Sequence, residues 1–175
     1  MSLRTRFQEQ LAQLVIGEDA VVRMDGRRMI VVSADFLTTI LSAGEQVVGP
    51  AIGGIHYLAG ERAGRLYGER ARAEAPDATP EDIVVNIVAS LEARGLGRLE
   101  VADLDVAAGT GMLRLQRSPY ADTLSGRDRP ACHSLMGLWA GLLGVVSGKD
   151  IAAEEVHCRA MGDPVCEIVA APRRD

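Results

Sequence analysis

Three short stretches decide the fold of this chain: ACHSLMGLWAGLLG (residues 131–144), EEVHC (residues 154–158) and GDPVCEIV (residues 162–169). They contain all three cysteines of the protein, Cys132, Cys158 and Cys166, and Glu155 lies between the first two. Zn²⁺ favours four tetrahedral ligands, and three thiolates with one carboxylate are a suitable set. If all four residues bind the metal, no position is left for a catalytic water. The zinc site predicted from these residues is therefore structural.

The spacing of these residues leaves a second interpretation open, because buried cysteines also pack well as small apolar side chains. The pattern is not one of the paired Cys-x-x-Cys arrangements of common zinc sites. Glu155 and Cys158 are an odd number of residues apart, so a regular strand would direct them to opposite faces, and a bulge or a strand end has to bring them together. His133 and His157 each flank a candidate ligand and could substitute for one.

Length and composition indicate one domain, residues 1–175, with an aliphatic core. Apolar residues make up 47% of the chain, but only 3% of it is aromatic. The formal net charge is −5, and the arginines are scattered along the sequence, with Lys149 as the single lysine. Because no basic stripe is present, we expect no nucleic-acid partner.

The sequence also predicts a cytoplasmic protein without a membrane span. The first residues are charged and amphipathic, which is unlike a secretory signal. An odd number of cysteines fits a reducing compartment. The longest apolar stretch, residues 131–147, contains His133 and Ser134 and barely approaches the length that crosses a bilayer, so it is predicted to be a core helix.

Hydrophobic periodicity places helices first and strands, interrupted by one helix, later in the chain. Residues 119–130 are predicted to be a loop, and Ser33 is predicted to cap the second helix. This order predicts an α+β domain in which an antiparallel sheet packs with helices. The predicted helices are residues 3–14, 34–42, 50–73, 80–95 and 131–147, and the predicted strands are residues 20–24, 28–32, 99–106, 112–115, 152–159 and 165–170.

Two series of glycines lie along helix faces, at spacings of three or four residues. A glycine inside a helix costs about 1 kcal/mol relative to alanine, so close packing of another backbone, or room for a ligand, is the expected compensation. The first series is Gly60, Gly64 and Gly68, and the second is Gly137, Gly141, Gly144 and Gly148.

Residues 130–169 resemble the 4-vinyl-reductase domain, also known as a hydrocarbon-binding domain. In that family an alanine- and glycine-rich helix follows the first cysteine, and a Glu-x-x-Cys…Gly-Asp-x-x-Cys hairpin closes the domain. The three quoted stretches carry both features. Sensor domains of phenol-responsive transcription activators bind zinc through this arrangement. The resemblance therefore implies Cys132, Glu155, Cys158 and Cys166 as the zinc ligands.

The resemblance further implies a fold shared with nitric oxide sensors and Golgi transport-particle subunits, a homodimer, and an enclosed apolar pocket. We expect the pocket beside the helix that follows Cys132 and beside strand 112–115, although core packing is the simpler role for these residues. Nothing follows Asp175, so no ATPase or DNA-binding domain is expected, and the few aromatic residues argue against a phenol-type ligand. The candidate pocket residues are Met112, Met136, Trp139 and Leu142.

Three functions stay open at the level of the sequence. The first is a stand-alone sensory domain with a structural zinc, which binds a small hydrophobic ligand and passes its state to a dimer partner or another protein. The second is a vinyl reductase of (bacterio)chlorophyll precursors, or its tetrapyrrole-binding accessory protein. That reaction needs a hydride or electron source, and neither a dinucleotide fingerprint nor a flavin motif is present. The third is a scaffold subunit without a ligand. We expect the first, which is not an enzyme.

Overall fold

The computed structural model of the protein describes residues 8, 9, 12, 14–24 and 27–174. The helix predicted for residues 3–14 lies largely outside them. The described elements follow in the order β1 (Leu14–Ile16), β2 (Val22–Met24), β3 (Arg27–Met29), α1 (Ala34–Val48), α2 (Ala51–Glu74), α3 (Pro80–Ala93), β4 (Arg98–Asp105), β5 (Thr110–Gln116), α4 (Pro119–Thr123), α5 (His133–Ser147), β6 (Ile151–His157), a 3₁₀ turn (Arg159–Met161) and β7 (Cys166–Pro172).

The described strands form two antiparallel sheets, which confirms the predicted α+β class. The N-terminal sheet has the order β1-β2-β3, and the larger sheet has the order β4-β5-β7-β6. The hairpin predicted near residues 20–32 is the pair β2 and β3, with Val22 opposite Met29. Strand β1 was not predicted. In the larger sheet β7 lies between β5 and β6, so the last strand of the chain is central.

Short polar side chains start the helices where the sequence predicted them. The Ser33 hydroxyl accepts a hydrogen bond from the Phe36 amide at 3.2 Å, which confirms the predicted cap of α1. Thr79 caps α3 in the same way through the Asp82 amide, at 3.1 Å. Each cap satisfies an amide that has no partner within its helix. Helix α1 is longer than predicted and reaches Val48.

The prediction of a loop for residues 119–130 is wrong at its beginning, because helix α4 occupies Pro119–Thr123. Ser118 accepts a hydrogen bond from the Ala121 amide at 3.3 Å, and Pro119 occupies the first helical turn. A serine followed by proline is a helix-start signal, since proline lacks the amide that would need a partner there. The helix is so short that hydrophobic periodicity could not reveal it.

Helices α2 and α5 contact each other backbone to backbone, as the glycine series predicted. A Cβ atom added to Gly64 would lie 2.2 Å from the Leu138 carbonyl oxygen, and one added to Gly137 would lie 1.9 Å from that of Tyr57. Gly60 and Gly141 are equally confined. No side chain or ligand fits between the helices at these four positions. The glycines therefore serve close packing.

Helix α5 is the centre of the core. Its Leu135, Trp139, Leu142 and Leu143 side chains are buried, and the helix packs against α2, α3 and strands β6 and β7. Gly148 ends it in the left-handed conformation, with φ of 73°, which glycine adopts at little cost. Among the helices that the structure describes, none has the length and apolar character needed to cross a membrane.

We predict that Gly64→Ala destabilises the protein while Gly54→Ala on the same helix does not. The added methyl group at position 64 meets a backbone oxygen, which cannot rotate away, and such overpacking costs about 1–3 kcal/mol of unfolding free energy. Gly54 is exposed and a Cβ there has no neighbour within 4 Å, so alanine should stabilise the helix by about 0.5–1 kcal/mol. Urea unfolding of both variants measures the difference, and equal unfolding midpoints would contradict the packing argument.

Candidate metal centre

Three elements bring the predicted zinc ligands to one point. Cys132 immediately precedes α5, Glu155 lies on β6, Cys158 precedes the 3₁₀ turn, and Cys166 is the first residue of β7. The pairing register of β6 with β7 shifts between Glu155 and His157, so the strand is irregular there, as expected from the spacing of its two ligands.

The four side chains form a compact, buried cluster. One ligand atom from each residue lies within 4.8 Å of the ligand atoms of the others, and all four residues are buried. The Sγ atoms of Cys132 and Cys166 are 3.7 Å apart, and the cysteines are free thiols rather than disulfides. Among the described residues, this is the group of histidine, cysteine and acidic side chains that could hold a metal ion. It contains the four predicted ligands and neither His133 nor His157.

One of the two oxygens of the Glu155 carboxylate has a hydrogen-bond partner among the described residues. Its Oε2 atom accepts a hydrogen bond from the Cys132 amide at 3.0 Å. Its Oε1 atom is buried and has no hydrogen-bond partner among the described residues. A buried carboxylate oxygen without a partner is costly, and a cation between the three sulfurs and this oxygen would remove that cost. The donor set and the unpartnered oxygen therefore both fit a bound Zn²⁺.

A second layer of hydrogen bonds fixes the thiols. The Ser118 hydroxyl lies 3.2 Å from Cys132 Sγ, and the Arg159 amide donates to Cys166 Sγ at 3.3 Å. The Cys158 amide donates to Asp163 Oδ2 at 2.7 Å, which closes the turn between the last two ligands. Such outer contacts orient metal ligands. Ser118 was not predicted to contact the cluster, although the Ser-Pro pair at the start of α4 could have drawn attention to it.

Burial and neighbouring groups change the pKa values of the candidate ligands, and those of Glu155 and Cys132 are raised. Burial, with the neighbouring Cys158 thiolate, raises the pKa of Glu155 to about 7, against the opposing hydrogen bond from Cys132. Hydrogen bonds with Cys158, burial and the Glu155 charge raise the pKa of Cys132 well above its usual value. Hydrogen bonds from Cys132 and Cys166 lower the pKa of Cys158. Metal ligands bind deprotonated, so a cation entering the cluster must displace these protons.

The two histidines beside the ligands face other partners. His157 is exposed, and its ring nitrogens lie 3.6 Å from Asp163 Oδ1 and 3.9 Å from Glu167 Oε2. His133 is half-buried on the opposite side, against α2, where its Nε2 atom approaches Gly53.

Three of the four candidate pocket residues are buried on α5, whereas Met112 alternates with the buried residues of β5 and so lies on the other face of the sheet. Trp139 and Leu142 are fully buried, and the Trp139 indole donates a hydrogen bond to the Gly111 carbonyl at 3.2 Å. Met136 is buried and its Sδ atom accepts a hydrogen bond from the Glu155 amide, at 3.1 Å. Met112 on β5 is half-buried. Their role as ligand contacts stays a prediction.

Two apolar cavities lie outside the interior between α5 and the larger sheet. One, of about 240 Å³, lies between α2, α4 and α5 and is lined mainly by small and aliphatic side chains, together with Tyr120 and Ser134. The other, of about 380 Å³, lies beside the N-terminal sheet and the start of α1. Neither cavity was predicted from the sequence.

Comparison with known proteins agrees with the resemblance found in the sequence. The family model described as the V4R domain matches residues 112–172, a range that includes all four candidate ligands. The phenol-responsive sensory domain of the transcription activator PoxR, solved with phenol, is similar over 98% of this chain and 90% of its own, with a TM-score of 0.84 and 19% identity. A vinyl-4-reductase family protein from Methanocaldococcus jannaschii is similar over 99% of this chain and 97% of its own, with a TM-score of 0.56 and 15% identity.

A sequence relative shares a shorter segment. The phenol regulator MopR from Acinetobacter guillouiae is 42% identical over 45 residues, which is 26% of this chain and only 8% of that regulator. The family model thus places the likeness to the V4R domain in residues 112–172, and the solved structures show a similar fold. The predicted resemblance is thus confirmed.

The predicted relationship to two further classes of protein is confirmed for the fold. An H-NOX protein from S. oneidensis covers 98% of this chain and 90% of its own, at 15% identity. A trafficking protein particle complex subunit 3 from Naegleria fowleri covers 81% of this chain and 95% of its own, at 14% identity. Both have a TM-score of 0.53.

We predict that Glu155→Gln lowers the affinity for Zn²⁺ at least about tenfold, whereas the neighbouring Glu154→Gln leaves it unchanged. The amide of glutamine replaces an anionic ligand with a neutral one, while Glu154 is exposed and is not part of the cluster. Competition against a chromophoric chelator gives both affinities. His157→Ala is a second control, since the histidine also lies outside the cluster. Equal affinities of Glu155→Gln and the unmodified protein would exclude Glu155 as a ligand.

We also predict a pH-dependent stability in the metal-free protein. The Glu155 carboxyl keeps its proton up to about pH 7 when folded but loses it near pH 4.5 when unfolded. Between these values the folded state binds more protons, so the contribution of Glu155 is fully present below pH 4.5 and is lost as the pH rises through 7.

The difference in unfolding free energy between the unmodified protein and Glu155→Gln isolates this carboxyl, because the thiols are present in both. In the presence of a chelator, the unmodified protein should lose stability relative to Glu155→Gln as the pH rises from 5 to 8. Denaturant unfolding at the two pH values measures it. A difference that is independent of pH would contradict the raised pKa.

Proposed function

We propose that this chain is a sensory domain for a small hydrophobic molecule, with a structural zinc bound by Cys132, Glu155, Cys158 and Cys166. The observation that carries the proposal is the buried cluster of four ligand atoms within 4.8 Å, with one carboxylate oxygen left without a protein partner. The similarity of the fold to a phenol-responsive sensory domain supports the sensory role. Residues 1–175 act as one domain in this proposal.

The zinc would join the start of α5 to the hairpin of β6 and β7. Bound zinc supplies coordination bonds to all four side chains, which is the arrangement of a structural site. Because the ligands come from separate parts of the chain, much of the binding free energy contributes to folding. The protein itself provides the orientation, through Ser118 beside Cys132 and the Arg159 amide beside Cys166.

The ligand would be held mainly by burial of apolar surface, at about 25 cal/mol per Å² before the costs of binding. The aliphatic interior beside α5 supports this, with Met136, Trp139 and Leu142 as the proposed contacts there and Met112 as a proposed contact from β5. Since Trp139 fills this space in the structure, a ligand there requires the indole to move. The bound state would be passed on to a partner protein or across a dimer.

We propose a homodimer because large apolar side chains are exposed on α1 and α2. Contiguous exposed apolar surface commonly marks a protein interface. Val47 is 83% exposed, and other members of the surface are about half exposed. These residues are Phe36, Ile40, Val47 and Val48 on α1, and Ile55, Leu58 and Leu66 on α2.

Three buried free thiols are compatible with a reducing compartment, so we place the protein in the cytoplasm. The two other functions inferred from the sequence, a vinyl reductase of tetrapyrrole precursors and a scaffold subunit, stay alternative predictions. Their structural relatives are 15% and 14% identical to this chain and share the fold with it.

We predict that native mass spectrometry of untreated protein shows one zinc per chain in a dimer. Cys158→Ser should lose the metal, because three ligands bind Zn²⁺ much more weakly than four. A denatured spectrum gives the mass without metal, and any additional mass in the native spectrum identifies a bound ligand. A metal-free protein with three free thiols would refute the zinc proposal. A bound chromophore would favour the tetrapyrrole alternative.

A further inference from the structure

The cavity beside the N-terminal sheet has an unusual lining. It measures about 380 Å³ and lies between β2, β3, the beginning of α1 and the end of α3. Among the described residues that line it, Arg94 is the one that is neither apolar nor glycine. The apolar members are Val22, Met24, Met29, Ile30, Val31, Val32, Ala34, Leu37, Ala93, Gly95, Leu96 and Pro119.

Arg94 lacks an anionic partner. Its Nε atom is buried and makes no hydrogen bond to any described residue, and no carboxylate in the described part of the chain forms an ion pair with it. Its guanidinium lies 5.2 Å from the centre of the Tyr67 ring, which lines the adjacent cavity. A ring face stabilises the charge only partly.

Other partly buried arginines are neutralised by the protein. Arg127 contacts the Glu45 carboxylate, and Arg159 lies 2.7 Å from Asp122. Arg27 pairs with Glu74 at 2.7 Å, although it lies near Arg94 on the wall of an adjacent cavity. The described residues thus provide carboxylates for arginines in similar positions and provide none for Arg94. A half-buried guanidinium whose Nε atom is buried without a hydrogen bond is unfavourable, so an added anionic partner would stabilise it.

We propose that this cavity binds a small apolar carboxylic acid, with its apolar body between the N-terminal sheet and α1 and its carboxylate paired with Arg94. The proposal rests on the proposed sensory function and names the chemical class of the ligand, which would occupy this cavity and not the interior beside α5. An arginine binds a carboxylate through two parallel hydrogen bonds, and the pairing is strongest where water is excluded. A neutral phenol or a hydrocarbon would fill the apolar space and leave the charge of Arg94 unpaired.

The test compares benzoate with benzamide, which has the same shape without the charge. Isothermal titration of the full, zinc-loaded chain at low salt should show benzoate binding at least about tenfold more tightly. Arg94→Gln should abolish that preference, and Arg94→Lys should keep part of it because the charge is retained. Arg98→Gln, at an exposed position on β4, is the matched control and should bind benzoate as the unmodified protein does.

A second variant tests the cavity without touching the charge. Leu37→Trp places a large side chain in the apolar space and should weaken benzoate binding at least about tenfold by occupying its site. This variant decides the question if Arg94→Gln fails to fold. Equal affinities for benzoate and benzamide, a preference that survives Arg94→Gln, or binding that survives Leu37→Trp would each overturn the proposal, as would the absence of binding.

The outcomes also separate this proposal from the one on which it rests. A zinc-containing protein that binds neutral apolar compounds but not benzoate would be a sensory domain with a different ligand class. A protein that binds benzoate through Arg94 but holds no zinc would retain the ligand site and lose the structural metal. Arg94 is not a member of the metal cluster, so the two results are measured on different residues.

Discussion

The structure depends on the contact between α2 and α5, where two helix backbones meet without side chains between them. Gly60 and Gly64 on one helix and Gly137 and Gly141 on the other allow this approach, with the facing carbonyl oxygens about 2 Å from where a Cβ would be. Close-packed interiors transmit small displacements instead of absorbing them. The position of α5 relative to the sheet, and of Cys132 at its beginning, is therefore set by residues that have no side chain at all.

The position of α5 also determines where the cluster of candidate metal ligands forms. Cys132 can reach β6 and β7 only because its helix lies against them, and the Cys132 amide then binds the Glu155 carboxylate. Helix α4 closes the cluster from outside, since Ser118 contacts Cys132 and Asp122 pairs with Arg159, next to Cys158. A cation at this point would add a link between three segments that strand pairing and helix packing already bring together. The described hydrogen bonds show that the protein holds the ligands close together by itself.

The sequence predicted the cluster and the helix contact because their residue types are informative on their own. Cysteines and a glutamate at a specific spacing have few structural explanations, and repeated glycines in a helix need a compensation. Helix α4 was missed because five residues carry no periodicity. The N-terminal cavity could not be predicted, since its wall comes from four elements and its decisive feature is the missing partner of Arg94. Only the fold shows which arginine has no carboxylate.

Glu155 and Arg94 present the same physical problem with opposite charges. Among the described residues, the buried side-chain atoms without a hydrogen bond are Glu155 Oε1, Arg94 Nε and Arg129 Nε. The last lies 3.5 Å from the Glu45 carboxylate, so its charge is compensated. For the other two, the described residues supply no compensating charge, which fits a cation among the thiols and an anion beside Arg94. Leaving such charges unpaired would cost more than replacing them with apolar residues, because a buried ion is stable only with a partner. Glu155 is buried and Arg94 is half-buried, each beside apolar side chains, and this placement is the physical argument that both positions serve binding.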